Sequence, residues 1–171
     1  MSGSNNAING TVEYVSKLAI SGSKDTFASS QKVSPMPMPV HYELSTYQTG
    51  GQVINGNFNV SKSGTTLNGL YYVKGNANLS GSNISGTFTI VAEGTISISG
   101  SGMNCTPYSR GLLFFSNGAS FGISGSNSSL GGIIYVPKGQ IAISGSGNKI
   151  NGSLFGDTLT LSGSNMVITA K

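Results

Sequence analysis

The feature that most constrains this chain is a recurring tetrapeptide, an apolar residue followed by Ser-Gly-Ser. It stands at Ile20–Ser23, Leu79–Ser82, Ile98–Ser101, Ile123–Ser126, Ile143–Ser146 and Leu161–Ser164, with a vestigial copy at Met1–Ser4. From Leu79 onward the copies are 18 to 25 residues apart, and the interval of 59 between Ile20 and Leu79 is close to three periods. A fixed period near twenty residues is the signature of a stacked coil. Two further turn signals recur within each period: Ile-Asn-Gly or its relatives at Ile8–Gly10, Ile54–Gly56, Leu67–Gly69, Ile84–Gly86, Leu130–Gly132 and Ile150–Gly152, and a glycine at Gly75, Gly94, Gly118, Gly139 and Gly156. Three corners per period divide each coil into three short strands, with glycine expected to supply positive φ at the corners.

Between corners the apolar residues alternate with the strand period of two. Before each Ser-Gly corner come Leu18 and Ile20, Ala77 and Leu79, Ile96 and Ile98, Phe121 and Ile123, Ile141 and Ile143, Leu159 and Leu161, which form ladders pointing inward. The pattern predicts an all-β fold, a right-handed parallel β-solenoid with about twenty residues and three strands per coil. One domain spans 1–171: a first coil over 1–23, a Pro-rich excursion over 24–51 with a short helix over 40–48, and stacked coils over 52–171. By this register Lys74 and Glu93 occupy equivalent corners of adjacent coils and form a charge pair.

The strand after each Asn-Gly corner differs from the others. Tyr71 and Val73, Phe88 and Ile90, Leu113 and Phe115, Ile134 and Val136 point inward, yet their outward neighbours include Leu70, Tyr72, Leu112, Phe114, Ile133, Tyr135 and Phe155. A strand that is apolar on both sides is covered on both sides. The expected cover is the excursion itself, with Met36, Met38, Val40, Leu44 and Tyr47 laid over Leu112, Phe114, Ile133 and Tyr135; its alternating prolines cannot join a sheet ladder.

The order of segments resembles the C-terminal β-solenoid regions of bacterial PilX-like and Tad-type pilus-assembly proteins, which are prepilin-like surface proteins. The resemblance rests on a coil followed by a Pro-rich, Tyr-containing excursion, then Gly69–Gly75, then stacked coils containing Gly86–Ala92, Pro107–Tyr108 with Gly111–Phe115, and Gly132–Gly139. It implies an extracellular, cell-surface protein of a bacterium, with partners that are other subunits or the rest of a longer surface protein. More loosely, the architecture resembles bactofilins and ice-binding solenoids.

Composition narrows the function. Only 8% of residues are charged, there are 26 glycines and no tryptophan, and the net charge of +4 comes from nine dispersed basic residues, so nucleic acid is not the expected partner. No apolar run reaches the length of a membrane span, and no leader precedes the repeat. Beginning at Met1–Ser4, inside a repeat, the chain reads as part of a longer protein. Solenoid lyases and hydrolases need grouped carboxylates, whereas Glu13, Asp25, Glu43, Glu93 and Asp157 fall in separate segments. His41 lacks neighbouring ligand types, and a solitary Cys105 reads as a small buried thiol. The expectation is therefore no catalytic residue, no metal and no cofactor. What remains is a structural or adhesive module, or a ligand-binding one that uses a flat polar face of Asn76, Asn78, Thr95, Ser97, Gln140, Thr158 and Thr160. Carbohydrate is the general target; ice is a narrower one, since Gly122 and Ala142 interrupt a threonine lattice, and so is DNA, for which Lys17, Lys74, Lys138 and Lys149 are dispersed.

Overall fold

A computed structural model describes residues 1–15, 17–35 and 42–170. In chain order the elements are β1 (Ala7–Tyr14), β2 (Thr26–Lys32), α1 (Leu44–Gln48), β3 (Gln52–Ile54), β4 (Phe58–Val60), β5 (Thr66–Val73), β6 (Ala77–Leu79), β7 (Ser85–Ala92), β8 (Ile96–Ile98), β9 (Asn104–Thr106), β10 (Leu112–Ser116), β11 (Ser120–Ile123), β12 (Ser129–Gly131), β13 (Ile133–Ile143), β14 (Lys149–Asn151), β15 (Leu154–Leu161) and β16 (Val167–Thr169). All the strand-to-strand ladders are parallel, and the chain winds into a β-solenoid of about eight coils. Each coil contributes to three faces. The first face, after the Ser-Gly corner, stacks β5, β7, β9, β12, β14, β16, β1 and β2. On the second lie β3, β5, β7, β10, β13 and β15. The third holds β4, β6, β8, β11, β13 and β15.

The coils do not stack in sequence order. Residues 1–32 form two coils rather than one over 1–23, and both sit beyond the C-terminal strand: Ala7 pairs with Val167, and β2 lies outside β1. Solenoid coils dock wherever their corners match. Asn6 accepts a hydrogen bond from the Met166 amide (3.0 Å) and donates to the Gly163 carbonyl (3.0 Å), while Asp25 accepts from the Asn6 amide (2.9 Å). Asn148 and Ser128 perform the same service in the coils below, whereas the equivalent position at the opposite end is Thr65. The segment after Lys32 has the reach to return: about nineteen residues extend to roughly 60 Å, against about 38 Å for the eight coil spacings between β2 and β3. The excursion thus starts after Lys32, not at residue 24, and its helix is Leu44–Gln48.

Inside the solenoid, Leu79, Ile98, Ile123, Ile143 and Leu161 stack into one ladder and Ala77, Ile96, Phe121 and Ile141 into another, all buried. Leu18 and Ile20 do not join them: they belong to no strand, and Ile20 is 38% exposed. Leu159 holds the inward position but is 42% exposed, because no strand stacks on it from the far side.

Glycine serves the corners differently from the sequence expectation. At the Ser-Gly corners a Cβ on Gly100, Gly125, Gly145 or Gly163 would overlap the glycine carbonyl of the coil below, so these residues are selected by close approach between coils. A positive φ falls two residues later in the turn, on Asn83, Asn127, Asn165, Asn5 and Lys24, all near 57°.

A second apolar cluster lies outside the second face. Leu70, Tyr72, Val91, Leu112, Phe115 and Tyr135 are buried there with Tyr47 of the excursion, and Leu44, Ile133 and Phe155 pack at its margin. The expected cover is therefore present for Leu44 and Tyr47; Met36, Met38 and Val40 lie outside the described residues. Phe114 is the exception. The register between β10 and β13 shifts between Leu112 and Phe114, a bulge that sends both Leu113 and Phe114 into the central core and leaves Phe115 facing the cover.

Candidate binding faces

The third face brings the seven expected polar residues into two outward rows. Asn59, Asn78, Ser97, Gly122, Ala142 and Thr160 form one, and Asn76, Thr95, Gln140 and Thr158 belong to the other. No outward position in these rows is charged. The side chains are tied to one another: Asn78 donates to Asn59 (2.9 Å) and Gln140 to Thr160 (2.9 Å). Asn76 is committed to the scaffold, since its Oδ1 accepts from the Thr95 amide at 2.9 Å and from the Thr95 hydroxyl at 3.2 Å. Gly122 and Ala142 are in register and leave a shallow step in the middle of the face.

The first face was not among the expected ones, yet it carries described strands at eight successive levels, from β5 to β2, the longest unbroken run of the three. Its outward rows are Thr66, Ser85, Asn104, Ser129, Lys149, Val167, Ala7 and Thr26, beside Asn68, Thr87, Thr106, Gly131, Asn151, Thr169 and Asn9. Successive strands set these side chains at about 4.8 Å intervals, and Lys149 is the single charge among them. Thr87 and Thr106 share a hydrogen bond of 3.0 Å, so the hydroxyls are mutually oriented. The signal is present in part: Thr66-Leu67-Asn68, Asn104-Cys105-Thr106 and Lys149-Ile150-Asn151 read polar-apolar-polar just after the corner. The other coils blur it, with Gly86 in the inward place and Ala7, Gly131 and Val167 in outward ones.

The other reactive types are dispersed or occupied. Lys74 and Glu93 do lie in adjacent coils, as the Val73–Ala92 pairing requires. Glu93, however, accepts the Tyr72 hydroxyl at 2.6 Å, and Tyr72 accepts from Gln48 at 2.9 Å, so the carboxylate anchors the cover rather than pairing with lysine. No group of three His, Cys, Asp or Glu side chains is gathered among the described residues; His41 lies outside them. No helix of the described residues is long and apolar enough to cross a membrane.

Cys105 faces the core at 1% exposure, and its Sγ lies 3.7 Å from the Ile84 carbonyl. Burial pushes the thiol up from 9.0 to about 12. The native protein is expected to resist a thiol-specific reagent at pH 8 and to react fully once denatured; rapid native labelling would refute the buried assignment. Because the unfolded thiol ionises first, its contribution to stability is complete below pH 9 and is lost as pH rises from there toward 12.

The chain matches no family model, no curated protein and no solved structure.

Proposed function

We propose that this chain is a non-catalytic structural and adhesive module of the bacterial cell surface, carried on a pilus-associated or other surface protein. The observation that carries the reading is the pair of faces, first and third, whose outward positions are mostly small hydroxyl and amide groups at a regular spacing with almost no charge. Groups pre-oriented by cross-coil hydrogen bonds lose little freedom on binding, which suits a repetitive, weakly charged ligand. The resemblance of the segment order to pilus-assembly solenoids supports a surface location.

A second reading, ligand capture, follows from the same faces: carbohydrate first, with ice or DNA as narrower targets. The continuous first face favours an ordered lattice over a compact molecule. DNA is less well served, because the column of corners that holds Lys74 and Glu93 mixes the two signs and Lys149 stands on another face.

The test is a screen of the purified domain against polysaccharides, duplex DNA and growing ice, repeated with Thr87→Tyr/Thr106→Tyr on the first face and Thr158→Tyr/Thr160→Tyr on the third. These exposed changes should leave stability within about 0.5 kcal/mol. Loss of binding by about tenfold or more with one pair only would locate the contact; binding indifferent to both pairs, or turnover of any glycan, would reject the proposal.

A further inference from the structure

Both ends of the stack are made by internal segments of the chain. Among the described residues, one end is formed by β2, which pairs with β1 alone. The other is formed by β3 and β4, which pair with β5 and β6 alone, and by the Thr66–Asn68 part of β5. The two ends agree in direction: a second copy set on β2 would continue the winding, with its Thr66–Asn68 over Thr26–Ala28 and its Gln52–Ile54 over the Ser29–Lys32 half of β2. Ile54 and Phe58 are only partly buried at the β3–β4 end, so this edge offers apolar surface as well as backbone hydrogen-bonding groups. Such a contact is head-to-tail and does not close, so it would propagate into a fibre.

We infer that Lys62 is a stop that keeps the β3–β4 end from stacking on a second copy of this chain. The corner after β4 recurs at every level with one backbone shape, in which φ is positive two residues further on: 70° at Gly64, 57° at Asn83, 72° at Gly102, and so on to 58° at Lys24. Above Lys62 the corner residue is always glycine, from Gly81 through Gly163 to Gly3 and Gly22, and a Cβ on any of them would overlap the carbonyl of the corner residue one level nearer β4. Lys62 is the exception. It is exposed, and it receives Gly81 on its own carbonyl. In the shared turn its Cβ takes the direction that the glycines keep empty, into the place where the Gly22 carbonyl of the neighbouring copy would stand. The same contact would gather Lys62 and Lys24 at one corner, like charges beside each other. A lysine on an edge is a general means of blunting sheet-to-sheet pairing. Here its backbone position matters more than its charge, because the glycine column admits no Cβ wherever a coil lies beneath.

The test compares Lys62→Gly with Lys62→Ala in the 171-residue chain by sedimentation and hydrogen exchange. Both changes fall on an exposed turn, and both proteins should melt within about 5 °C of the unchanged one. The unchanged protein and Lys62→Ala are expected to stay monomeric at millimolar concentration, the latter because its methyl group still meets the Gly22 carbonyl. Lys62→Gly should at least double its weight-average mass as concentration rises. In the associated form, amides of β2, β3 and β4 should exchange about tenfold more slowly, with those of β12 and β14 unchanged. A monomeric Lys62→Gly would overturn the proposal, as would association of that variant without protection of the two ends. Equal association of Lys62→Ala would assign the block to the charge and overturn the steric stop. Association of the unchanged protein with both ends protected would show that no stop exists.

Discussion

Gly145→Ala is expected to lower the unfolding free energy by about 4 kcal/mol and the midpoint of thermal unfolding by roughly 10 °C. The new methyl group would overlap the carbonyl oxygen of Gly125 in the coil below, which cannot retreat because Gly125 is itself seated on Gly100. Gly145 does not have positive φ, so the penalty is one of distance between coils and not of backbone torsion. Relief would require the ladder to open at that level, weakening the Ser144–Ile123 and Asn148–Gly125 hydrogen bonds, 2.8 and 2.9 Å. Gly122→Ala is the control: nothing lies within 4 Å of its Cβ direction, and Ala142 already stands at the equivalent place in the next coil. That variant should be neutral or more stable by up to about 1 kcal/mol. Calorimetry that ranks the two alike would mean that the glycine column is not what sets the coil spacing.

Tyr47→Ala should detach the cover. Tyr47 is 2% exposed and is the single fully buried residue of α1, a helix of five residues whose start has no side-chain cap. A helix this short has no stability of its own and stays where it is only through packing. Removing a buried aromatic costs about 3 kcal/mol or more, beyond what the Gln48–Tyr72 bond contributes. The expected result is rapid proteolytic cleavage between Lys32 and Gln52 with the coils intact, together with binding of a hydrophobic dye to the bared Leu112, Phe115 and Tyr135. Undiminished resistance to protease would show that the cover is held by other contacts.

The features that repeat were legible from the sequence. Period, strand number and inward ladders followed from Ser-Gly corners and alternation, because each coil restates them and errors in one copy are corrected by the others. The double-sided apolar strand correctly called for a cover, since an exposed row of Leu70, Tyr72 and Tyr135 has no other remedy. What failed were events that occur once. A single bulge exchanged Phe114 and Phe115 between core and cover, and nothing in Leu112–Phe115, apolar throughout, marks where a bulge falls. Stacking order failed for a different reason: periodicity says that coils dock on coils, not on which. The clue lay in the corners, where Ser4-Asn5-Asn6 resembles Ser164-Asn165-Met166 and Ser126-Asn127-Ser128 more than Ser63-Gly64-Thr65. Of the polar faces, the third was legible through inward residues that recur before each Ser-Gly corner, whereas on the first the alternation is broken by Gly86 inside and by Ala7, Gly131 and Val167 outside.

The place of β1 between β16 and β2 also sets a timetable. A ribosome releases β1 and β2 first, yet until β16 emerges they have only each other, and two short strands are marginal in water. The bond between Asn6 and Met166 closes a loop of 160 residues, an entropic cost met only after the six intervening levels are built. A simple solenoid can grow level by level from its first coil as it is made. Here the earliest residues are among the last to find their seat, so completion of the fold waits for β16 to be made, and a chain halted before Val167 would carry an unseated N-terminal pair of coils open to other chains.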